Sequence, residues 1–158
     1  MTELSPSASK VQQALEKAGF SLSVVELPDS TRTAAEAAQA VGCQVGQIVK
    51  SLVFKGRRSL KPILVVASGA NRVNESRIEA LIGEPLGKAD AEFVRQHTGF
   101  AIGGVPPLGH TQPLETYIDE DLLRYSRVWA AAGTPHAVFE LDPTDLPALT
   151  GGTVISIQ

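Results

Sequence analysis

The sequence predicts a single α+β domain spanning residues 1–158, and three observations predict it. Helical and strand-like segments follow one another irregularly, with hairpins between several strands, rather than in regular βαβ alternation. The length of 158 residues, with 43% hydrophobic and 20% charged residues, matches one globular domain. A chain of that size buries about two-thirds of the surface its unfolded form exposes, so it can fold without metals or disulfides. Finally, no internal repeat, low-complexity stretch or linker divides it.

The elements can be taken in order. Val11, Ala14, Leu15 and Ala18 recur at helical spacing within 6–19, and Gly19 suits the left-handed residue that closes such a helix. Residues 21–27 partly alternate polar and apolar, as a half-buried strand does. Thr33-Ala34-Ala35-Glu36 is a capping box, in which hydroxyl and carboxylate satisfy each other's free backbone donors, and it opens a helix that runs to Val41 and stops at Gly42. Residues 49–54 form a strand rich in β-branched and aromatic side chains, and 62–67 form another. The unbroken apolar run of the latter predicts burial on both faces. Lys55-Gly56-Arg57-Arg58 between them reads as a solvated hairpin turn.

Asn74 caps a helix carrying Ile78, Leu81 and Ile82, closed by Gly83. Asp90 caps another carrying Phe93, Val94 and His97, closed by Gly99. Gly103-Gly104-Val105-Pro106-Pro107 fits neither helix nor central strand and must be a shaped loop. A strand starts at Thr116-Tyr117-Ile118, and 119–125 form a short helical turn. Strands at 127–132 and 137–141 are split by Gly133-Thr134-Pro135. Asp142 caps a last helix to Leu149 with Pro143 in its first turn, and 153–157 close the chain as a strand.

Several function classes fall away. The lone Cys43 permits no internal disulfide and no cysteine-based zinc site, which favours a reducing compartment. The segment Met1-Thr2-Glu3-Leu4-Ser5-Pro6 lacks the basic-then-apolar order of a signal peptide. The longest apolar runs, such as 128–132, are far too short to span a bilayer. The expectation is a cytoplasmic protein without membrane contact. His97, His110 and His136 stand at no metal-ligand spacing, so no metal or other cofactor is expected. Neither a Gly-x-Ser-x-Gly elbow nor a phosphate-binding Gly-x-x-x-x-Gly-Lys-Ser/Thr loop occurs. Cys43 reads as an inert thiol in a loop rather than a nucleophile, since no base accompanies it.

A net charge of -3 argues against a protein that coats nucleic acid by bulk attraction. The placement of charge argues otherwise. Residues 1–100 carry +2 and residues 101–158 carry -5, and Lys50, Lys55, Arg57, Arg58 and Lys61 put five basic residues within 50–61. Such a hairpin either grips a phosphate backbone or simply solubilises a turn.

Two further features carry chemistry. Lys50 interrupts the apolar Ile48-Val49-Lys50-Ser51-Leu52-Val53-Phe54; it either reaches solvent at a sheet edge or is aimed into a pocket, where it can hold a carbonyl or phosphate oxygen. In the 103–107 loop, glycines let backbone N–H groups approach a ligand and prolines stiffen the frame; an oxyanion cradle and a plain tight turn both fit.

These motifs occur together in an order that resembles the YbaK-like family, which includes the editing insertion of bacterial prolyl-tRNA synthetase. The resemblance rests on 33–38 (Thr-Ala-Ala-Glu-Ala-Ala), 46–54 (Gly-Gln-Ile-Val-Lys-Ser-Leu-Val-Phe), 99–107 (Gly-Phe-Ala-Ile-Gly-Gly-Val-Pro-Pro), 117–119, 132–133 and 141–146, and covers roughly 10–157. It implies a mixed, barrel-like sheet surrounded by helices. It implies a free-standing deacylase that hydrolyses the ester of a small wrongly charged amino acid (alanine, cysteine, serine, threonine or similar) on tRNA, above all tRNA(Pro). It also implies no metal or cofactor. The partners it implies are the acceptor end of aminoacyl-tRNA and prolyl-tRNA synthetase. Lys50 matches the family's hallmark active-site lysine, and Gly103, Gly104 and Pro106, with Val105 between them, match the loop that lines the aminoacyl pocket. His136 is a rim hydrogen-bond partner on this reading, or else a surface histidine at a strand start. By position, Ser68, Gly69, Asn71 and Arg72 are assigned to the terminal adenosine, and Lys55, Arg57 and Arg58 to the tRNA. The rival expectation is a non-catalytic tRNA- or synthetase-binding module on the same fold.

Overall fold

The computed structural model describes residues 4–158. The reading of the N-terminal segment touches Met1, Thr2 and Glu3, which lie outside the described residues. α1 (Pro6–Lys17) starts with proline in its first turn and buries Ala8, Val11 and Leu15 completely, as their three- to four-residue spacing requires. α2 (Ala34–Val41), α3 (Glu75–Ile82) and α4 (Ala91–Thr98) begin at the predicted caps: Thr33, Asn74 and Asp90 accept from the N–H groups of Glu36, Ser76 and Phe93. Each ends on the predicted left-handed glycine, at Gly42, Gly83 and Gly99.

The strands are β1 (Val24–Glu26), β2 (Ile48–Gly56), β3 (Pro62–Ser68), β4 (Leu86–Lys88), β5 (Glu115–Asp119), β6 (Val128–Ala131), β7 (Ala137–Leu141) and β8 (Thr153–Ile155). α5 (Leu146–Thr150) follows a 3-10 turn at Pro143–Asp145, which replaces the front of the expected last helix. All eight strands form one mixed sheet ordered β1-β7-β6-β2-β3-β5-β8, with β4 paired to β2. The β2–β6, β3–β5 and β5–β8 pairs are parallel, the rest antiparallel. The hairpin between β2 and β3 turns at 57–59, later than the expected Lys55-Gly56-Arg57-Arg58, because Lys55 and Gly56 still belong to β2.

Three differences from the expected elements have local causes. β1 is shorter than 21–27 because the Gln12 side chain of α1 donates to Leu22 O and accepts from Val24 N–H, tying that backbone to a helix instead of a strand. β8 stops at Ile155 because Ile157 turns away: its carbonyl accepts from Asn74 N–H at 2.6 Å and its side chain is buried. β4 has no signature of its own; three residues around Gly87 become a strand only because the end of β2 offers them a partner.

Every residue of β3 is buried, as its apolar run predicts. Leu64 and Val66 face one core with α1, Phe100 and Phe139. Ile63, Val65 and Ala67 face a second core with Ile78 of α3, Leu86 and Ile157. Each such side chain stabilises the fold by about 1.5–3 kcal/mol on burial, which makes β3 the rigid centre against which β2 is held.

One detail of the sheet opens its interior. β2 is paired to β3 from Val49 to Lys55. On its other side β6 pairs only with Ile48 and Val49, and β4 only with Phe54, Lys55 and Gly56. Residues 50–53 therefore have no strand neighbour on that side, although they lie inside the sheet.

Candidate active site

A cleft of about 570 Å³ opens where β2 lacks its second neighbour. Its wall contains the unpaired stretch of β2, including Lys50 and Ser51. The N-terminal end of α2 with the preceding Thr31 and Arg32, Lys88 and Ala89 after β4, the loop residues Gly103 and Val105, and Trp129 to Ala131 of β6 complete it. The two readings of Lys50, solvent-facing at an edge or aimed into a pocket, thus merge, because the edge is local and forms the pocket wall. Most of the lining is aliphatic or aromatic, and three cations, Arg32, Lys50 and Lys88, face one acid, Glu75. None of the three cations forms an ion pair among the described residues; the two ion pairs there, Arg124–Asp121 and Arg127–Glu140, involve none of them. Unpaired cations around a low-dielectric cleft concentrate anions and strengthen their own interaction with them.

The 101–107 loop is built by its glycines. Gly104 N–H donates to Ala101 O at 3.1 Å, and Gly104 O accepts from Gly133 N–H at 2.8 Å. A Cβ on Gly104 would lie 2.8 Å from Thr134 N and 2.9 Å from Gly133 C, so only glycine lets the two loops touch. Gly103 adopts φ +95°, and Arg32 packs across it, with Nε 3.2 Å from where a Cβ would stand. Pro106 has no N–H, and its carbonyl accepts from His110 Nε2–H at 2.7 Å. Burial holds the His110 imidazole below its ordinary pKa, so the neutral ring makes this bond. What remains free is informative. The N–H groups of Gly103 and Val105, the two loop residues on the cleft wall, meet no acceptor among the described residues. Within the predicted loop, Gly103 and Val105 line the site, while Gly104 and Pro106 stand behind it as frame.

The other predicted residues are distributed as follows. His136 is exposed and does not line the cleft; its ring Nδ1–H donates to Asp29 O at 3.0 Å, while Leu27 N–H and Thr31 N–H donate to His136 O and Pro135 O at 2.8 and 2.6 Å. These bonds pin the 27–31 segment and so place Thr31. Ser68, Gly69, Asn71 and Arg72 also lie outside the cleft lining. Ser68 donates its hydroxyl to Gly46 O at 2.7 Å and its N–H to the buried Asp119 carboxylate, which also accepts from Asn71 Nδ2 at 2.9 Å. Their polar groups are engaged in holding β3 to β5. Gly69 is required for space, since a Cβ there would lie 2.5 Å from Val45 O.

Lys55, Arg57 and Arg58 sit at the far end of β2, with Arg57 about 23 Å from Lys50 at roughly 3.3 Å per residue. Lys55 Nζ lies over the Phe93 ring at 5.1 Å. Glu84 accepts from Arg58 N–H and Ser59 N–H, which, with the Arg58 charge, hold its carboxyl below the usual range. The three histidines do not converge, and among the described residues no three His, Cys, Asp or Glu side chains do. Burial, with the Glu140 charge, pushes the Cys43 thiol up, away from the reactive thiolate.

Thr31, Arg32, Ser51 and Lys88 were not singled out from sequence. Thr31 and Arg32 precede a capping box, so a polar loop leading into a helix N-terminus was legible there. Lys88 carried no signal, since β4 itself had none.

The mixed-sheet domain thus opens at its central strand into a cleft with both cationic and apolar walls. The chain belongs to the aminoacyl-tRNA editing domain family, whose pattern matches residues 28–149. A solved structure described as a candidate trans-editing enzyme for prolyl tRNA synthetase superimposes with TM-score 0.93 at 58% identity, covering 99% of each chain. Among curated relatives, the uncharacterized protein YwhH of Bacillus subtilis is 32% identical over 123 residues, 78% of each chain. EbsC of Enterococcus faecalis, named as a candidate Cys-tRNA(Pro)/Cys-tRNA(Cys) deacylase, is 29% identical over 129 residues, 79% of this chain and 76% of its own. The fold expectation, a single α+β domain with a mixed sheet, holds, and the protein is an aminoacyl-tRNA hydrolase of the editing class.

Proposed function

We propose that the chain acts in trans on tRNA(Pro), removing a small wrongly attached amino acid such as alanine, cysteine, serine or threonine, alongside prolyl-tRNA synthetase. The observation that carries this reading is the unpaired Lys50 in a cleft whose wall also includes Gly103 and Val105, whose N–H groups meet no acceptor among the described residues. The volume of about 570 Å³ lies within the range of small-ligand sites and suits an amino acid with its terminal ribose.

An aminoacyl ester is already activated, so positioning and charge stabilisation suffice. Water attacks the ester carbonyl carbon, unaided or assisted by the neighbouring ribose hydroxyl as proton acceptor. The carbonyl oxygen becomes an oxyanion, and the Gly103 and Val105 N–H groups are the donors for it. The tetrahedral intermediate collapses, the C–O bond to the tRNA ribose breaks, and the ribose oxygen takes up a proton. The products are the free amino acid and uncharged tRNA. In this scheme Lys50 binds the ester oxygens or the terminal phosphate, and Arg32 and Lys88 extend the cationic wall toward the 3′ end.

The test is a deacylation panel using tRNA(Pro) carrying alanine, cysteine, serine, threonine, 2-aminobutyrate or proline. At least one small amino acid is expected to be released while prolyl-tRNA(Pro) is spared. If all the charged tRNAs are bound and none is turned over, the non-catalytic binding module is the correct description. A second expectation concerns the basic hairpin. The triple variant K55A/R57A/R58A should weaken tRNA binding and flatten the dependence of log K on log salt by about one unit per lost phosphate contact, measured by filter binding across a salt series. An unchanged slope would remove the hairpin from the tRNA interface.

A further inference from the structure

We propose that Thr31 and Ser51 form the subsite for the α-amino group of the aminoacyl ester, a reading that rests on the cleft being the editing site. Four buried side-chain polar atoms among the described residues lack a hydrogen-bond partner, and two of them, Thr31 Oγ1 and Ser51 Oγ, belong to residues that line this cleft. A buried hydroxyl without a partner carries a desolvation penalty that a suitably placed ligand group removes. The remaining hydroxyl of the lining, Thr33, is already engaged: it accepts from Glu36 N–H at 3.1 Å and donates to Glu36 Oε1 at 3.0 Å. The only other uncharged polar group among the described lining residues, the Trp129 indole N–H, is a donor and cannot accept from an ammonium.

Both residues are held firmly. Thr31 is 6% exposed, and its N–H donates to Pro135 O at 2.6 Å. Ser51 lies on β2 between Val49 and Val53, which face the first core, so alternation turns its hydroxyl the same way. It also falls in the stretch of β2 that lacks a second strand. Gly56 N–H donates to Lys61 O, and Ile48 O accepts from Gly69 N–H, which places the backbone groups of even-numbered β2 residues on the β3 side. By alternation the Ser51 carbonyl faces the open edge and adds a third acceptor.

The chemistry selects among the groups of the substrate. A substrate ammonium brings several N–H donors and needs acceptors; two hydroxyls and a carbonyl supply them, and Glu75 adds a favourable charge. The ester oxygens bring no donor, and an aliphatic side chain brings nothing to hydrogen-bond. The α-amino group is also the one hydrogen-bond donor common to every α-aminoacyl group, which suits a site whose other walls are largely aliphatic.

The experiment compares alanyl-tRNA with propionyl-tRNA, the same ester without the amino group, each rate divided by its own uncatalysed rate. The wild-type protein should prefer alanyl-tRNA in kcat/KM by about 10-fold or more, and Thr31→Val and Ser51→Ala should each reduce that preference by about 10-fold, because a site built to hydrogen-bond a substrate group discriminates strongly against its absence. Thr31→Ser, which keeps the hydroxyl, should retain the preference and serves if Thr31→Val folds poorly by thermal melt. An alanyl-to-propionyl ratio unchanged in folded Ser51→Ala and Thr31→Val would overturn the proposal. So would a selective loss of seryl- over alanyl-tRNA hydrolysis, which would assign the hydroxyls to the substrate side chain. A wild-type protein inactive on every aminoacyl-tRNA would instead overturn the editing reading and the subsite with it.

Discussion

Lys50→Ala lowers kcat for release of a small amino acid from tRNA by about 10²–10³-fold, the loss expected when one preorganised charge is removed from an oxyanion-stabilising site. The expectation follows from the lack of an ion pair: Lys50 forms none among the described residues, so its ammonium is available to substrate. For the same reason stability should change little, within about 1 kcal/mol, because no buried partner is left orphaned. Lys50→Arg retains the charge but replaces a compact ammonium with a planar fork, and should recover only part of the activity. Single-turnover deacylation and thermal melts on the same preparations separate the two effects. Wild-type turnover by a folded Lys50→Ala protein would remove Lys50 from the chemistry.

Gly104→Ala should lower kcat/KM by about 10–100-fold although Gly104 touches no substrate, since displacement of a positioned group by about 1 Å has effects of that size. Its new methyl would meet Thr134 N at 2.8 Å and Gly133 C at 2.9 Å. Both are backbone atoms, which cannot swing aside as a flexible side chain would. The 103–105 segment must shift, taking the Gly103 and Val105 N–H groups with it, or the 133–135 turn must shift, and Pro135 O is what places Thr31. Overpacking of this kind also destabilises by about 1–3 kcal/mol. Gly83→Ala is the control: a Cβ there meets nothing within 4 Å, but φ is +78°. It should lose about 1–2 kcal/mol of stability through backbone strain alone and leave deacylation unchanged. Equal kinetics for Gly104→Ala and wild type would show that the loop contact does not position the donors.

Helix caps were legible because they depend on residues two or three apart: the side chains of Thr33, Asn74 and Asp90 accept from the N–H groups of Glu36, Ser76 and Phe93. The double burial of β3 was legible because an unbroken apolar run leaves no polar face to present to water. Ser68 and Asn71 show the opposite case. Their place beyond a strand end suggested a ligand, yet the buried Asp119, 51 and 48 residues away, takes their hydrogen bonds. No local pattern reports a partner at such a distance. His136 likewise bonds to Asp29, 107 residues earlier, and supports the loop that carries Thr31.

By itself the sequence determined the α+β class, the capped helices, the apolar centre of the sheet and, through motifs in a recognisable order, the family. It also marked Lys50 as a residue out of keeping with its strand. Only the tertiary structure placed Lys50 on the wall of a cleft. β6 leaves β2 after Val49 and β4 joins it at Phe54, so four residues of an interior strand lie open and the cleft forms there. Hydrophobic periodicity and capping act over one or two turns and can be read locally. A gap in a sheet is set by where two other strands stop, and that depends on packing among segments about 30 to 80 residues away.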